Sequence, residues 1–524
     1  MATATELNVD TNATAQQMAE EIFGDGVTVT TATYSGDALS SGIYSGADTT
    51  TPGVAPADSG VILSTGYARD FTNSDGTTNT NQRADTTTNT SGVDGDADFN
   101  TLAGTQTYDA SILEFEFVPD GDTLTIDFVL SSEEYPEFVN SQYNDVVGVW
   151  VNGVEAQVSI GDGTASIGNI NDGTENIYVD NTGDSFNTEM DGFTITLTFV
   201  APVNAGEVNT LKIGVADTSD VAYDTNLLIA GGSVQTAVVA QDDQEDIAIG
   251  KTRVIDVLEN DSTAAGGTLS ITHINDQQVA AGDTVTLTTG QQITLNADGT
   301  LTVVTDGDLE TVYFNYTADN GEGNSDTGLV EINQTVPCFL RGTMIRVPGG
   351  EIAVEDLRPG MEVLTCDNGP QVLLWTGSRR TACTPDTAPI RFAPDSCGND
   401  RDLYVSPQHR MVVSGAMAEL LFGETEVLVK AKDLVNDRTV RPALELEEAE
   451  YFHLLFGSHQ ILWANGALSE SYQPGPETAA GFDAGTQAEI RDLFPDLCAE
   501  TGRGCGNAAR LSLRSYEARV IAAA

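Results

Sequence analysis

The stretch LEFEFVPDGDTLTIDFVL, residues 113–130, decides the fold class. Leu113, Phe115 and Phe117 alternate with Glu114 and Glu116, the period of a strand with one face in a core. Pro119-Asp120-Gly121 turns the chain. Leu124, Ile126, Phe128 and Leu130 then alternate again, so the stretch reads as a β-hairpin. Working outward, Asn152-Gly153 after Val149 and Val151 marks a second tight turn. In the first third, helical spacing occurs over 11–23, where Ala15, Met18, Ala19 and Ile22 share a face and Gly24 ends the run. Residues 72–98 form a long polar loop or insert. These signals predict a β-sandwich over 1–237.

Residues 238–336 predict a second, smaller β unit. Val254–Leu258, the turn Asn296-Ala297-Asp298-Gly299 and the alternating run from Phe314 to Asp319 fit an immunoglobulin-like sandwich. From 338 on, short strands recur: Met344–Val347, Glu362–Thr365, Val372–Trp375, Leu403–Val405, Arg410–Val413, Glu426–Lys430, Tyr451–Phe456 and Gln460–Ala464. Thr486–Leu493, between Gly485 and Pro495, predicts a helix in a tail over 476–524. The expected fold class is mainly β and multidomain.

Charge narrows the function classes. With 79 Asp and Glu against 22 Lys and Arg, the net charge is −57. Such a surface repels nucleic acid and anionic lipid, which need basic patches. It suits a hydrated extracellular protein, or one that gathers divalent cations. No apolar run approaches the ~18 residues of a membrane span, and the N-terminus MATATELNVDTNATAQ has neither region of a cleaved signal peptide. The expectation is an extracellular or cell-surface protein, exported without a cleaved N-terminal signal, with cell-surface or matrix contacts. Composition shifts near 337. Before it stand only five basic residues, Arg69, Arg83, Lys212, Lys251 and Arg253, while all six cysteines lie from 338 on. None of these forms a CxxC pair, so a zinc knuckle has weak support; disulfides fit an exported chain, with pairing open.

The third segment, 337–475, carries the candidate chemistry. Cys338 opens it with Phe-Leu-Arg-Gly342-Thr343. Val354-Glu-Asp-Leu-Arg-Pro359-Gly360, Ser406-Pro407-Gln408-His409, Tyr451-Phe452-His453 and His459-Gln-Ile-Leu-Trp463 follow in order. Together they resemble the Hint family, the self-processing domain shared by hedgehog proteins and inteins. The resemblance implies attack by Cys338 on the carbonyl of Pro337, giving a thioester. A thiol one residue downstream reaches that carbonyl through a five-membered ring, so proximity replaces collision, and Cys is a strong nucleophile near neutral pH. Ser406 and His409 stand where the family has Thr-x-x-His; His409 is the expected general acid or base, titrating near neutrality. His453 and His459 are implied to assist the thiol or the rearrangement. No terminal His-Asn follows, so splicing is not expected. Cleavage or transfer to water, a thiol, an amine or an alcohol is. No cofactor is required. The competing expectation is a surface or adhesion protein whose Hint fold is inert.

Ser131-Ser-Glu133-Glu134-Tyr-Pro136-Glu-Phe138, Tyr143-Asn-Asp145 and Ala216-Asp217 with Tyr223-Asp224 resemble the choice-of-anchor L domain. The middle unit resembles cadherin-like repeats of bacterial adhesins. Glu133, Glu134, Asp145 and Asp224 could hold Ca²⁺, which takes about 6–8 oxygen ligands; solvated acidic loops are the alternative.

Overall fold

A computed structural model describes residues 5–72, 86–139, 141–158, 160, 163–247, 251–306, 310–334, 338–383, 388–436, 438–446, 448–471, 509–513 and 518. The chain forms two compact units. One comprises Met1–Asp243, Val254–Val303 and Val312–Glu331; the other Gln244–Arg253, Val304–Thr311 and Ile332–Ala524.

In the first unit, two antiparallel sheets of the described residues face each other. One runs Asn8–Asp10, Ser41–Ser45, Ser59–Ser64, Thr225–Ala230, Thr123–Ser132, Gly192–Thr194, Tyr178–Asp180, with Leu197–Pro202 also on Thr123–Ser132. The other runs Val27–Ser35, Thr107–Pro119, Asn209–Thr218, Val146–Val151, Val154–Glu155, with Ala165–Ser166 on Val146–Val151. The expected hairpin at 113–130 is therefore corrected. Thr107–Pro119 and Thr123–Ser132 lie in different sheets, and Pro119-Asp120-Gly121 is an arch between layers. The reason is the core: Leu113, Phe115 and Phe117 from one sheet and Leu124, Ile126, Phe128 and Leu130 from the other pack into the same apolar cluster. Alternation reports a buried face but not the hydrogen-bonded neighbour. Burying each such side chain contributes roughly 1.5–3 kcal/mol, so each strand faces the core opposite its sequence neighbour rather than pairing with it.

The Asn152-Gly153 hairpin is found as expected. Val151 pairs Val154, and both turn residues have positive φ, at 53° and 76°, the geometry of the two-residue turn that suits twisted strands. The helix spans Ala15–Ile22, opened by a capping box between Thr14 and Gln17, and buries Met18, Ala19 and Ile22. In the middle segment, Ser270–Ile274 pairs Gln277–Gln278 and Glu310–Asp319, and Thr284–Thr286 pairs Gln292–Leu295.

In the second unit, a six-stranded sheet runs Trp375–Ala382, Glu448–Leu455, Phe339–Leu340, Leu403–Val405, Ile390–Phe392, Val440–Pro442. A nine-stranded sheet runs Gly350–Ala353, Met344–Val347, Ile461–Ala464, Ala467–Glu470, Arg410–Ser414, Glu426–Lys430, Leu511–Ser512, with Glu362–Thr365 and Gly369–Val372 joined to it. Their shared core holds Phe339, Ile345, Leu403, Met411, Phe452 and Leu462. The short helix Ala416–Phe422 has no counterpart in the sequence reading. The expected helix Thr486–Leu493 lies outside the described residues. Within the segment expected to be a helical tail, Leu511–Ser512 instead adds a parallel strand beside Glu426–Lys430.

Candidate active site

Register alone places the thiol. Phe339 pairs Phe452 on one side and Val405 on the other, both antiparallel. Stepping one residue back puts Cys338 opposite His453 and opposite Ser406. Side chains alternate along the short strand: Phe339 enters the main core, while Cys338 and Leu340 turn to a small cluster with Ala449, Tyr451 and Cys383.

The contacts follow from that placement. Cys338 Sγ lies 3.5 Å from Nδ1 and 3.6 Å from Nε2 of His453. The Cys338 N–H donates to Ser406 Oγ at 3.1 Å, and the Ser406 N–H donates to the Cys338 carbonyl at 3.1 Å. The Cys338 amide is thus held by a hydroxyl. The His453 ring stacks beside Trp375 at 6.5 Å. Tyr451 has its hydroxyl pKa raised by burial, then by Cys338 and Cys383. Cys366, Cys383 and Cys397 carry free thiols; Cys498 and Cys505 lie outside the described residues, as does Pro337, the expected acyl donor.

His409 sits on the other side of the strand. Its N–H donates to the Ser406 carbonyl at 3.0 Å, closing the turn Ser406–His409, and its ring meets the Phe339 edge at 4.5 Å. Only 1% of it is exposed, and among the described residues neither ring nitrogen has a hydrogen-bond partner. Burial, outweighing the pull of Glu470, pushes the imidazole down to about 4. The expected titration near neutrality is corrected accordingly: a ring removed from water favours its uncharged form. His409 is neutral at pH 7, with one nitrogen able to donate and one able to accept.

His459 belongs to a different cluster. The Ala509 N–H donates to its Nδ1 at 3.0 Å, so a neutral ring carries its proton on Nε2, which lies 3.3 Å from Glu470 Oε2. Glu470 also accepts from the Arg410 N–H at 2.8 Å. Burial favours its neutral form, yet Arg410 and His459 outweigh that and hold its pKa below the usual range. Sequence reasoning missed Glu470; the signal was an acidic residue at the end of the strand Ala467–Glu470, which begins Ala-Leu. Of the five residues expected to act, Cys338 contacts both Ser406 and His453, His409 closes the same turn as Ser406, and His459 pairs with Glu470.

The acidic residues of the first unit also converge. Glu133, Glu134, Asp145 and Asp224 are all buried, together with Asp217, which was not singled out as a ligand. Burial raises Glu134, Asp145 and Asp217; the charges that raise them further are those of other carboxylates, chiefly Asp145 on Glu134 and on Asp217, and Asp220 on Asp145. Burial likewise raises Asp224, to about 7, against the hydrogen bond from the Thr88 N–H at 2.7 Å. Among the described residues, no group of three or more His, Cys, Asp or Glu is arranged to hold a metal ion.

Comparison with known proteins gives three family matches along the chain. Residues 6–235 match the choice-of-anchor L domain, 234–333 the bacterial Ig domain and 337–476 the Hint domain. No curated protein matches the chain. Among solved structures, the gp41-1 intein is similar at 11% identity over 26% of this chain and 98% of its own, with a TM-score of 0.18. Extracellular domains 3–5 of Drosophila OTK are similar at 11% identity over 63% of this chain and 85% of theirs, with a TM-score of 0.16. No helix among the described residues is long and apolar enough to cross a membrane. Three stretches of the chain thus match, in order, a choice-of-anchor L domain, a bacterial Ig domain and a Hint domain, and the first two suggest an extracellular or surface protein.

Proposed function

We propose that the Hint domain cleaves its own chain at the Pro337–Cys338 bond by an N–S acyl shift. The observation that carries this reading is Cys338 lying between Ser406, on its backbone amide, and His453, on its sulfur. His453 takes the thiol proton; sulfur bonds to the Pro337 carbonyl carbon; the C–N bond breaks; the Cys338 nitrogen leaves as an amine. Net, one proton passes from sulfur to nitrogen and no other reagent is consumed. Ser406 steadies the departing amide. His409, uncharged and able both to donate and to accept, suits a proton relay to that nitrogen. Water, a thiol, an amine or an alcohol then attacks the thioester and releases or captures the upstream domains.

The test is direct. The purified full chain is treated with dithiothreitol or hydroxylamine and followed by gel and mass spectrometry. Two fragments meeting between 337 and 338, absent from Cys338→Ala, support the reading. A wild-type chain that stays whole leaves a surface protein with an inert Hint fold.

A further inference from the structure

We propose that Gln408 is a positioning residue that grips the chain upstream of the cleaved bond; this rests on the self-cleavage reading above. Gln408 fills the third place of Ser406-Pro407-Gln408-His409, and only 5% of it is exposed. Its Nε2 donates to Asn333 Oδ1 at 2.9 Å and lies 3.4 Å from Thr311 Oγ1. Thr311 Oγ1 donates to the same Asn333 oxygen at 3.1 Å. Asn333 is fully buried, and its carbonyl accepts from the Ile247 N–H at 3.0 Å. Main chain and side chain of Asn333 are therefore both held.

Asn333 stands five residues before Cys338. Five residues span at most about 18 Å when fully extended. Ser406 holds the Cys338 end of that span through two hydrogen bonds, and Gln408, two residues along the same turn, holds the Asn333 end. The turn itself is pinned, because the Ala431 N–H donates to the His409 carbonyl and the Lys432 N–H to the Pro407 carbonyl, each at 2.9 Å. One rigid turn thus carries the amide clamp, the imidazole and the upstream tether. Fixing both ends of a short span raises the fraction of time that its reacting carbonyl meets the thiol, which is the proximity term of catalysis. Asn333 becomes a specificity element: the domain favours an upstream segment that offers a buried acceptor at this distance.

The experiment compares Gln408→Met, which keeps the volume and removes the donor, with Asn333→Leu, which removes the acceptor, and with the double variant. All are full-length chains. Three quantities are read: the rate of dithiothreitol-induced cleavage, Tm, and the rate of iodoacetamide alkylation at Cys338 mapped by mass spectrometry. The expected result is cleavage slowed about 10- to 100-fold in each single variant. The double variant is expected to be no slower than the slower single one, and Cys338 alkylation unchanged. Cleavage at the wild-type rate in both single variants overturns the inference while leaving self-cleavage intact. Multiplying losses accompanied by altered Cys338 alkylation or a shared fall in Tm overturn it too, in favour of a structural role. A wild-type chain that does not cleave overturns both.

Discussion

A thiol and an imidazole on facing positions of two antiparallel strands need no mobile loop to meet. Cys338 and His453 reach that position because Phe339 pairs Phe452. Replacing sulfur by oxygen in Cys338→Ser is expected to keep slow cleavage and to give an ester in place of the thioester. Fragments then form under hydroxylamine but not under dithiothreitol. His453→Ala, which removes the group beside the sulfur, is expected to slow cleavage by about 10²–10⁴, measured as single-turnover fragment release. His409 makes a prediction on stability. Its folded pKa, about 4, lies below the ordinary value of 6.5. Below pH 6.5 the unfolded chain takes up a proton that the folded chain refuses. Stability is therefore full above pH 6.5 and falls as pH drops toward 4, by on the order of 3 kcal/mol. His409→Gln removes this dependence. The gap in Tm between pH 7.5 and pH 4.5 is expected to differ between wild type and variant, with the variant losing less on acidification.

Two turns of similar composition do different work among the elements. Asn152-Gly153 joins neighbours of one sheet, whereas Pro119-Asp120-Gly121 carries the chain across the sandwich. At Gly153 the backbone has φ 76°, and a Cβ there would meet nothing within 4 Å. The cost of a side chain is thus conformational alone. Gly153→Val is expected to destabilise the first unit by about 1–2 kcal/mol, read as a lower urea midpoint with an unchanged slope. The turn Ser406–His409 is the corresponding element of the Hint domain. It puts Ser406 against Cys338 and His409 against Phe339, the first residue of the strand that follows the thiol, and it was recognisable from sequence as a motif. Its hold on Asn333 was not, because that contact joins residues 75 positions apart.

At the scale of the whole molecule, acidity has two distinct consequences. The chain has 79 Asp and Glu, and those around Asp145 and Asp217 are buried beside one another. Asp224 gives a measurable case. Its folded pKa, about 7, lies above the unfolded value near 3.8. The folded chain keeps a proton that the unfolded one releases. This contribution is full below pH 4 and is lost as pH rises to 7, on the order of 4 kcal/mol. Asp224→Asn keeps an oxygen for the Thr88 N–H and removes the charge. It is expected to raise Tm at pH 8 and to have little effect at pH 4. Millimolar Ca²⁺ in the same melts tests the calcium expectation. A cation-dependent rise at pH 8, lost with Asp217→Asn, would sustain it; superimposable melts would end it.

By itself the sequence determined the β class, from alternation at 113–130, and pointed to three segments, from motifs and the abrupt change of composition near 337. It also singled out Cys338, Ser406, His409, His453 and His459 as candidates, through motifs that resemble those of the Hint family. The tertiary structure alone decided which strands pair, that the arch at 119–121 crosses the core, and that Glu470 and Asp217 join the buried groups. It also decided that His409 is uncharged. Those properties depend on distance through space and on exclusion of water, and neither can be read from local pattern along a chain. Side-chain period shows that a face is buried; only packing shows what it is buried against.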